Sequence, residues 1–167
     1  MGNPQPKVQE WEGGYLAGFL DGEGSIMINR HSAKRKVYLE PYVAIYGTDI
    51  PTKDKLTDIL DRMGLPYYVG WDTKSGYQKR KCWRIKAVGY KRCVPWLVTL
   101  LPYLTTKRVR AELAWKCIRS RLSNDSRQNP YTPEELSIVD EIRLANRGLG
   151  SETTRWEPGP FYPIRVE

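Results

Sequence analysis

The spacing of apolar positions changes several times along the chain, and each change marks an element. An apolar pattern rich in small residues predicts a helix over about Gln9–Asp21, with Leu16, Phe19 and Leu20 available to a core. Strict alternation follows at Ser25–Arg30, where Ile26 and Ile28 share one face and Met27 and Asn29 the other. The polar run His31-Ser32-Ala33-Lys34-Arg35-Lys36 predicts a hairpin tip. A second strand is expected over Val37–Tyr46, with Val43 and Ile45 opposed to Tyr42, Ala44 and Tyr46. Thr48 or Asp49 is placed to cap a helix over about Pro51–Met63, whose stripe is Leu56, Ile59, Leu60 and Met63 and whose end is marked by Gly64. Two more strands flank the turn cluster Asp72-Thr73-Lys74-Ser75-Gly76, with Trp83, Ile85 and Ala87 opposed to Cys82, Arg84 and Lys86. Helices over about Cys93–Leu101, Lys107–Leu122 and Pro133–Asn146 complete the pattern.

This order, α-β-β-α-β-β-α with extra C-terminal helices, predicts an α+β fold with one four-stranded antiparallel sheet. Its helix-covered face should take Ile26, Ile28, Val43, Ile45, Trp83 and Ile85, and its other face the basic and aromatic residues. No segment repeats another. Residues 1–147 read as one domain, and residues 148–167 as a proline-rich arm carrying Trp156 and Phe161.

Composition narrows the function. A chain of 167 residues, 40% hydrophobic and 28% charged, suffices for a single core. No apolar run approaches the ~18–20 residues of a membrane span, and Met1–Glu10 lacks the apolar stretch of a signal peptide. A cytoplasmic protein without a membrane partner is expected. Cys82, Cys93 and Cys117 show no Cys-x-x-Cys spacing, which argues against zinc and against a disulfide framework. A single histidine, His31, argues against histidine-cluster nucleases; at a hairpin tip it would touch phosphate.

Net charge is +8, with a pI of about 9.4. Residues 25–46 and 67–88 together hold ten basic residues against two acidic ones, a balance equal to that of the whole chain. The charge therefore sits on the two β-ribbons, which points to a nucleic acid as partner. A twisted antiparallel ribbon fits the major groove. Arg80, Arg84 and Lys86 are candidate guanine readers and Asn29 an adenine reader. Tyr38, Tyr42, Tyr46 and Trp71 are candidates for phosphate or apolar contacts. Met27, His31, Lys34, Arg35, Lys36, Lys74 and Lys79 complete the expected interface.

The first helix carries the chemistry. Gly14, Gly18 and Gly22 line one of its faces, although glycine costs roughly 1 kcal/mol per interior helix position relative to alanine. Such a stripe suits the close approach of a second backbone. The helix then ends in Asp21 and Glu23, carboxylates set against the negative end of its dipole unless a cation compensates them. Hard divalent cations such as Mg²⁺ take oxygen ligands of this kind, and Glu23 is the candidate direct ligand.

Leu16-Ala17-Gly18-Phe19-Leu20-Asp21-Gly22-Glu23-Gly24 resembles the LAGLIDADG motif of homing endonucleases, with Glu for the second Asp. Pro102-Tyr103-Leu104-Thr105-Thr106-Lys107 resembles the Pro-x-Leu-x-x-Lys segment of the same family, and the resemblance spans about residues 10–147. It implies a site-specific endonuclease that cuts both strands of double-stranded DNA by phosphodiester hydrolysis dependent on Mg²⁺ or another hard cation such as Mn²⁺. It adds the carbonyl of Gly22 as a second metal ligand, Asp21 in a supporting role and Lys107 as an electrostatic group. Thr48, Asp49 and Lys53 are candidates for ordering water. A chain with one motif implies a homodimer, joined through Gly14, Ala17, Gly18 and Asp21, acting on a long pseudo-palindromic target with a staggered cut across the minor groove. The resemblance also implies an origin in an intron or intein, and a short chain without splicing blocks favours an intron-encoded origin over an intein. An RNA maturase and a non-catalytic DNA-binding regulator are the alternatives on the same fold; an intact Glu23 and Lys107 favour the nuclease.

Overall fold

A computed structural model describes residues 9–33, 36–72, 81–123 and 130–147. The arm from residue 148 onward lies outside them, as do Lys34, Arg35, Lys74, Lys79 and Arg80. Helix α1 spans Glu10–Glu23 and buries Leu16, Ala17 and Leu20. Glu12 accepts from the backbone N–H of Gln9 at 3.0 Å and closes the first turn. The same carboxylate is buried, and Arg62 reaches it with Nε at 3.0 Å. These bonds lower its pKa: the Gln9 amide most, then Arg62.

Strands β1 (Gly24–Ala33) and β2 (Lys36–Gly47) form a long antiparallel hairpin, Gly24 facing Ile45 and Ala33 facing Lys36. Both run further than their alternation suggested. His31, expected in the tip, is a strand residue opposite Tyr38. Helix α2 (Ile50–Arg62) is capped by Asp49, whose Oδ2 accepts from the Thr52 N–H at 2.9 Å. Gly64 follows it with φ +66°, a conformation glycine adopts without steric cost. Strands β3 (Tyr68–Asp72) and β4 (Cys82–Val88) complete one antiparallel sheet in the order β1-β2-β4-β3.

Helix α3 spans Tyr90–Leu100, starting three residues before the expected Cys93. A 3-10 turn at Leu101–Tyr103 leads to α4 (Arg108–Ser123), and α5 covers Pro133–Asn146 as expected. Thr132 and Glu135 form a capping box at the start of α5. Glu135 is fully buried because Arg121 of α4 stands 3.3 Å away and the Ser120 hydroxyl donates to it at 3.0 Å. At the other end of α5, the Asn146 amide donates to the Ile26 carbonyl at 3.2 Å.

The core lies between the helices and one face of the sheet. Ile26, Ile28, Val43, Ile45, Trp83 and Ile85 are all buried on that face, as their alternation predicts. Trp83 and Trp96 are its largest fully buried members, and each indole N–H has a backbone acceptor: Asp49 at 2.7 Å and Pro66 at 2.9 Å. Among the described residues no helix is long and apolar enough to cross a membrane.

Gly47 abuts the Trp83 ring so closely that a β-carbon would overlap it. Gly47→Ala should therefore destabilise the fold by about 1–3 kcal/mol, the usual range for overpacking. A lowered urea midpoint with an unchanged slope would be the expected readout.

Candidate active site

The end of α1 meets the start of α4, and each helix caps the other. Asp21 turns away from its own helix: Oδ2 accepts from the Thr105 N–H at 2.7 Å and Oδ1 from the Lys107 N–H at 2.8 Å. Lys107 precedes α4, and its carbonyl accepts the first helical bond, from Ala111 N–H at 3.0 Å. Asp21 thus supplies, from 86 residues away, the acceptor that a lysine side chain cannot offer. Its charge sits at the positive end of the α4 dipole instead of opposing only the negative end of α1. The Lys107 ammonium runs the other way and donates to the backbone carbonyl of Asp21, one of the last four carbonyls of α1.

Lys107 is only 7% exposed. Burial lowers its pKa below that of an ordinary lysine and Arg110 adds to the shift, while the negative charges of Asp21 and Glu23 oppose it. Three of the expected catalytic residues, Asp21, Glu23 and Lys107, therefore come together across 84–86 residues of sequence. Glu23, the last residue of α1, is exposed, and no described group holds its carboxylate in a hydrogen bond or ion pair.

Thr48 and Asp49 leave the sheet at the same end: Gly24 faces Ile45, so Gly47 lies beyond the start of β1. Asp49 has a structural task as the α2 cap, and the Thr52 hydrogen bonds keep its pKa below the usual carboxylate value. Thr48 is exposed, and Lys53 is paired with Asp54.

The donor set suits a hard cation in part. Glu23 offers an uncommitted carboxylate beside an exposed Gly22, whereas both Asp21 oxygens are bound to backbone N–H groups. Among the described residues no three His, Cys, Asp or Glu side chains gather as a metal cage. A cation at this point would rest on one side-chain oxygen donor of this chain, with backbone and water oxygens for the rest.

The outward face of α1 has no packing partner at its glycines among the described residues. A β-carbon at Gly14, Gly18 or Gly22 would meet nothing within 4 Å, whereas one at Gly13 would come 2.7 Å from the Tyr103 ring. Packing explains Gly13 and leaves the other three unexplained. Beside them the Trp11 and Tyr15 rings meet edge to face, with centroids 6.2 Å apart, and Tyr15 and Phe19 pack at a tilt, 5.1 Å apart. Gly14, Tyr15, Gly18, Phe19, Gly22 and Glu23 line an open groove of 430 Å³. Ala17, expected on this face, is instead wholly buried in the chain's own core. Asp21, expected there too, is engaged with α4.

On the sheet face away from the helices, the register aligns Met27 with Tyr42, Asn29 with Glu40 and His31 with Tyr38. Tyr46 lies beside Arg84, and Ala44 beside Lys86. Arg84 is 3.4 Å from Asp72, and its buried Nε has no hydrogen-bond partner among the described residues. The Tyr42 and Tyr46 hydroxyls are 3.1 Å apart; burial first, and this bond second, hold the Tyr42 phenol protonated well above its usual range.

Trp71 does not share this face. It pairs with Trp83, so it points to the helix side of β3 and remains 47% exposed because the helices stop short of that edge. Its place on the outer face belongs to Tyr68, opposite Lys86 and packed under Arg92 at 4.9 Å. Alternation carried back from Arg84 through the β3 register identifies Tyr68; a one-residue offset in β3 gives Trp71. Lys36 lies in β2, and the remaining expected basic contacts are outside the described residues.

No protein-family model matches the chain, and no curated protein does. Solved structures match it. The homing endonuclease I-CvuI, bound to its target in the presence of calcium, aligns with a TM-score of 0.61 and 21% identity over 89% of this chain and 87% of that one. The group I intron-encoded homing endonuclease I-CeuI, complexed with DNA, aligns with a TM-score of 0.61 and 18% identity over 82% and 68%. The LAGLIDADG homing endonuclease I-GzeII, in complex with a DNA target, gives 0.59 and 22% over 79% of this chain but 43% of that one, so this chain spans less than half of it. With one four-stranded antiparallel sheet, its helices on one face and the motif at the end of α1, the chain has the fold of the LAGLIDADG homing endonucleases.

Proposed function

We propose that this protein is a homodimeric, site-specific DNA endonuclease whose catalytic carboxylate is Glu23. The observation that carries the reading is the contrast within one cluster: Asp21 and Lys107 are locked in mutual helix capping, while Glu23 beside them stays exposed and is held by none of the described residues. A carboxylate kept free at a rigid helix junction is suited to a ligand from outside the chain. Glu23 and the Gly22 carbonyl would hold Mg²⁺ or Mn²⁺, which when bound supplies an activated water and stabilises the departing oxygen. Lys107 brings positive charge to the same junction, where it offsets charge developing on phosphate. Thr48, at the end of β2, is the remaining candidate for ordering water.

The unpartnered α1 face supports pairing. Three glycines that no contact among the described residues requires would let a second α1 approach closely in a two-fold dimer. Each protomer would then cut one strand, and the two outer sheet faces would read a long pseudo-palindromic site. With +8 on each chain, affinity should fall steeply with salt.

Cleavage of a complex DNA library in Mg²⁺, with all ends sequenced, tests the reading. Paired ends with a fixed stagger and a pseudo-palindromic surround are expected. Glu23→Gln should reduce cutting at least about a hundredfold, in the range seen when an electrostatic catalytic group is lost, while binding stays near wild type. Undiminished cutting by that variant would remove Glu23 from the chemistry.

Gly18→Leu probes the pairing face separately. Because a β-carbon there meets none of the described residues within 4 Å, the variant should keep its circular dichroism but sediment as a monomer. A dimer mass retained by Gly18→Leu would show that the subunits join elsewhere.

A further inference from the structure

We propose that Glu40 is a specificity-determining residue that reads the exocyclic amine of cytosine or adenine at an outer position of each half-site; this rests on the DNA-reading role of the outer sheet face. A carboxylate on a surface that meets a polyanion is unfavourable unless something answers it. The described outer face carries two, and they are treated differently. Asp72 is answered by Arg84 at 3.4 Å. Among the described residues Glu40 has only the His31 Nε2, 3.4 Å away, which is a cation only when protonated, and the two side chains are 44% and 57% exposed. Its acceptor oxygens are therefore available to a donor.

In the major groove the donors on offer are the N4 amine of cytosine and the N6 amine of adenine; guanine and thymine present acceptors at the corresponding positions. Directly across the ladder from Glu40 stands Asn29, whose amide also matches adenine. Cross-strand partners lie about 5 Å apart at their β-carbons, so the two side chains address the same or adjacent base pairs.

The backbone that presents Glu40 is held with unusual care. β4 pairs with β2 only from Tyr42 to Gly47, which leaves the edge of β2 beyond Tyr42 without a strand. Two tyrosines close that edge at the neighbouring residue. The Leu39 N–H donates to the Tyr131 hydroxyl at 2.9 Å, and the Tyr90 hydroxyl donates to the Leu39 carbonyl at 2.9 Å. Tyr131 is itself packed under Arg121 at 3.9 Å, and Arg121 is anchored by the buried Glu135. The region of β2 that carries Glu40, paired with β1 on one side, is thereby fixed on its other edge without a strand there, as a reading position requires.

Placement along the groove follows from register. Asn29 comes five residues after Gly24, where β1 leaves the candidate active site. At about 3.3 Å per strand residue and about 3.4 Å per base pair, the Glu40–Asn29 pair lies roughly five base pairs outward from the cut.

The test is a binding selection with the full-length protein on duplexes randomised across the site, in chelator so that no cutting intervenes. Wild type, Glu40→Gln and Glu40→Ala are compared, and circular dichroism verifies that each folds. The wild-type pool should favour an amine-bearing base at an outer position by about tenfold or more, the range of a good base contact. Glu40→Ala should lose that preference alone, and Glu40→Gln, which can also donate, should admit guanine or thymine there. Unchanged base preferences in Glu40→Ala, with or without a uniform rise in affinity, would overturn the assignment and leave the DNA interface standing. A wild-type pool with no enrichment at any position would overturn both together.

Discussion

Two helix ends that cap each other hold the site in place. The C-terminus of α1 offers orphan carbonyls and the N-terminus of α4 offers orphan amides. Asp21 and Lys107 exchange exactly these needs: a carboxylate crosses to the amides and an ammonium crosses to a carbonyl. Each side-chain cap contributes about 1 kcal/mol, a modest sum, yet the consequence is positional. The junction ties the end of the first helix to a segment 84–86 residues later, and Glu23 projects from it without being drawn into the network. Burial of Lys107 is tolerable because its ammonium donates to the Asp21 carbonyl and the negative charges of Asp21 and Glu23 favour it.

The sheet divides labour by face. One face is closed by Trp83, Ile85, Ile45 and their neighbours against the helices, and that packing sets the register of all four strands. Since a one-residue slip would turn the core residues out, register fixed from inside also fixes which side chains appear outside. Arg84, Lys86, Tyr42, Tyr46 and Asn29 reach the outer face for this reason, and Trp71 does not. The outer face thus inherits its order from the hydrophobic core.

The last helix gives the long hairpin support that the sheet does not. β1 and β2 project beyond the end of β4, where a two-stranded ribbon alone is marginally stable. Tyr131 and Tyr90 satisfy the backbone of Leu39, Asn146 satisfies Ile26, and the buried Arg121–Glu135 pair joins α4 to α5 beneath them. Removing one partner of such a pair commonly costs about 3–5 kcal/mol. The C-terminal helix therefore belongs to the same mechanical unit as the ribbon, although it adds no residue to the candidate active site.

Periodicity in the sequence determined the order of elements, the two sheet faces and the end of α2 at Gly64, and narrowed its cap to Thr48 or Asp49, because each depends on residues adjacent in sequence. The pattern around Asp21, Glu23 and Lys107 was legible as candidate chemistry, and charge counting placed the basic residues on the ribbons. The roles within that pattern were not legible. That Asp21 is a cap for a distant helix, that Ala17 turns inward while Gly14, Gly18 and Gly22 face out, and that Trp71 lies on the helix side of its strand depend on contacts between elements far apart in sequence. The length of the hairpin, too, was set by groups outside it, since the tyrosines that close its open edge come from α3 and from the segment before α5. Local sequence specifies what each segment buries; only the tertiary structure decides which group answers each unsatisfied amide, carbonyl and charge, because those partners are chosen by proximity in space.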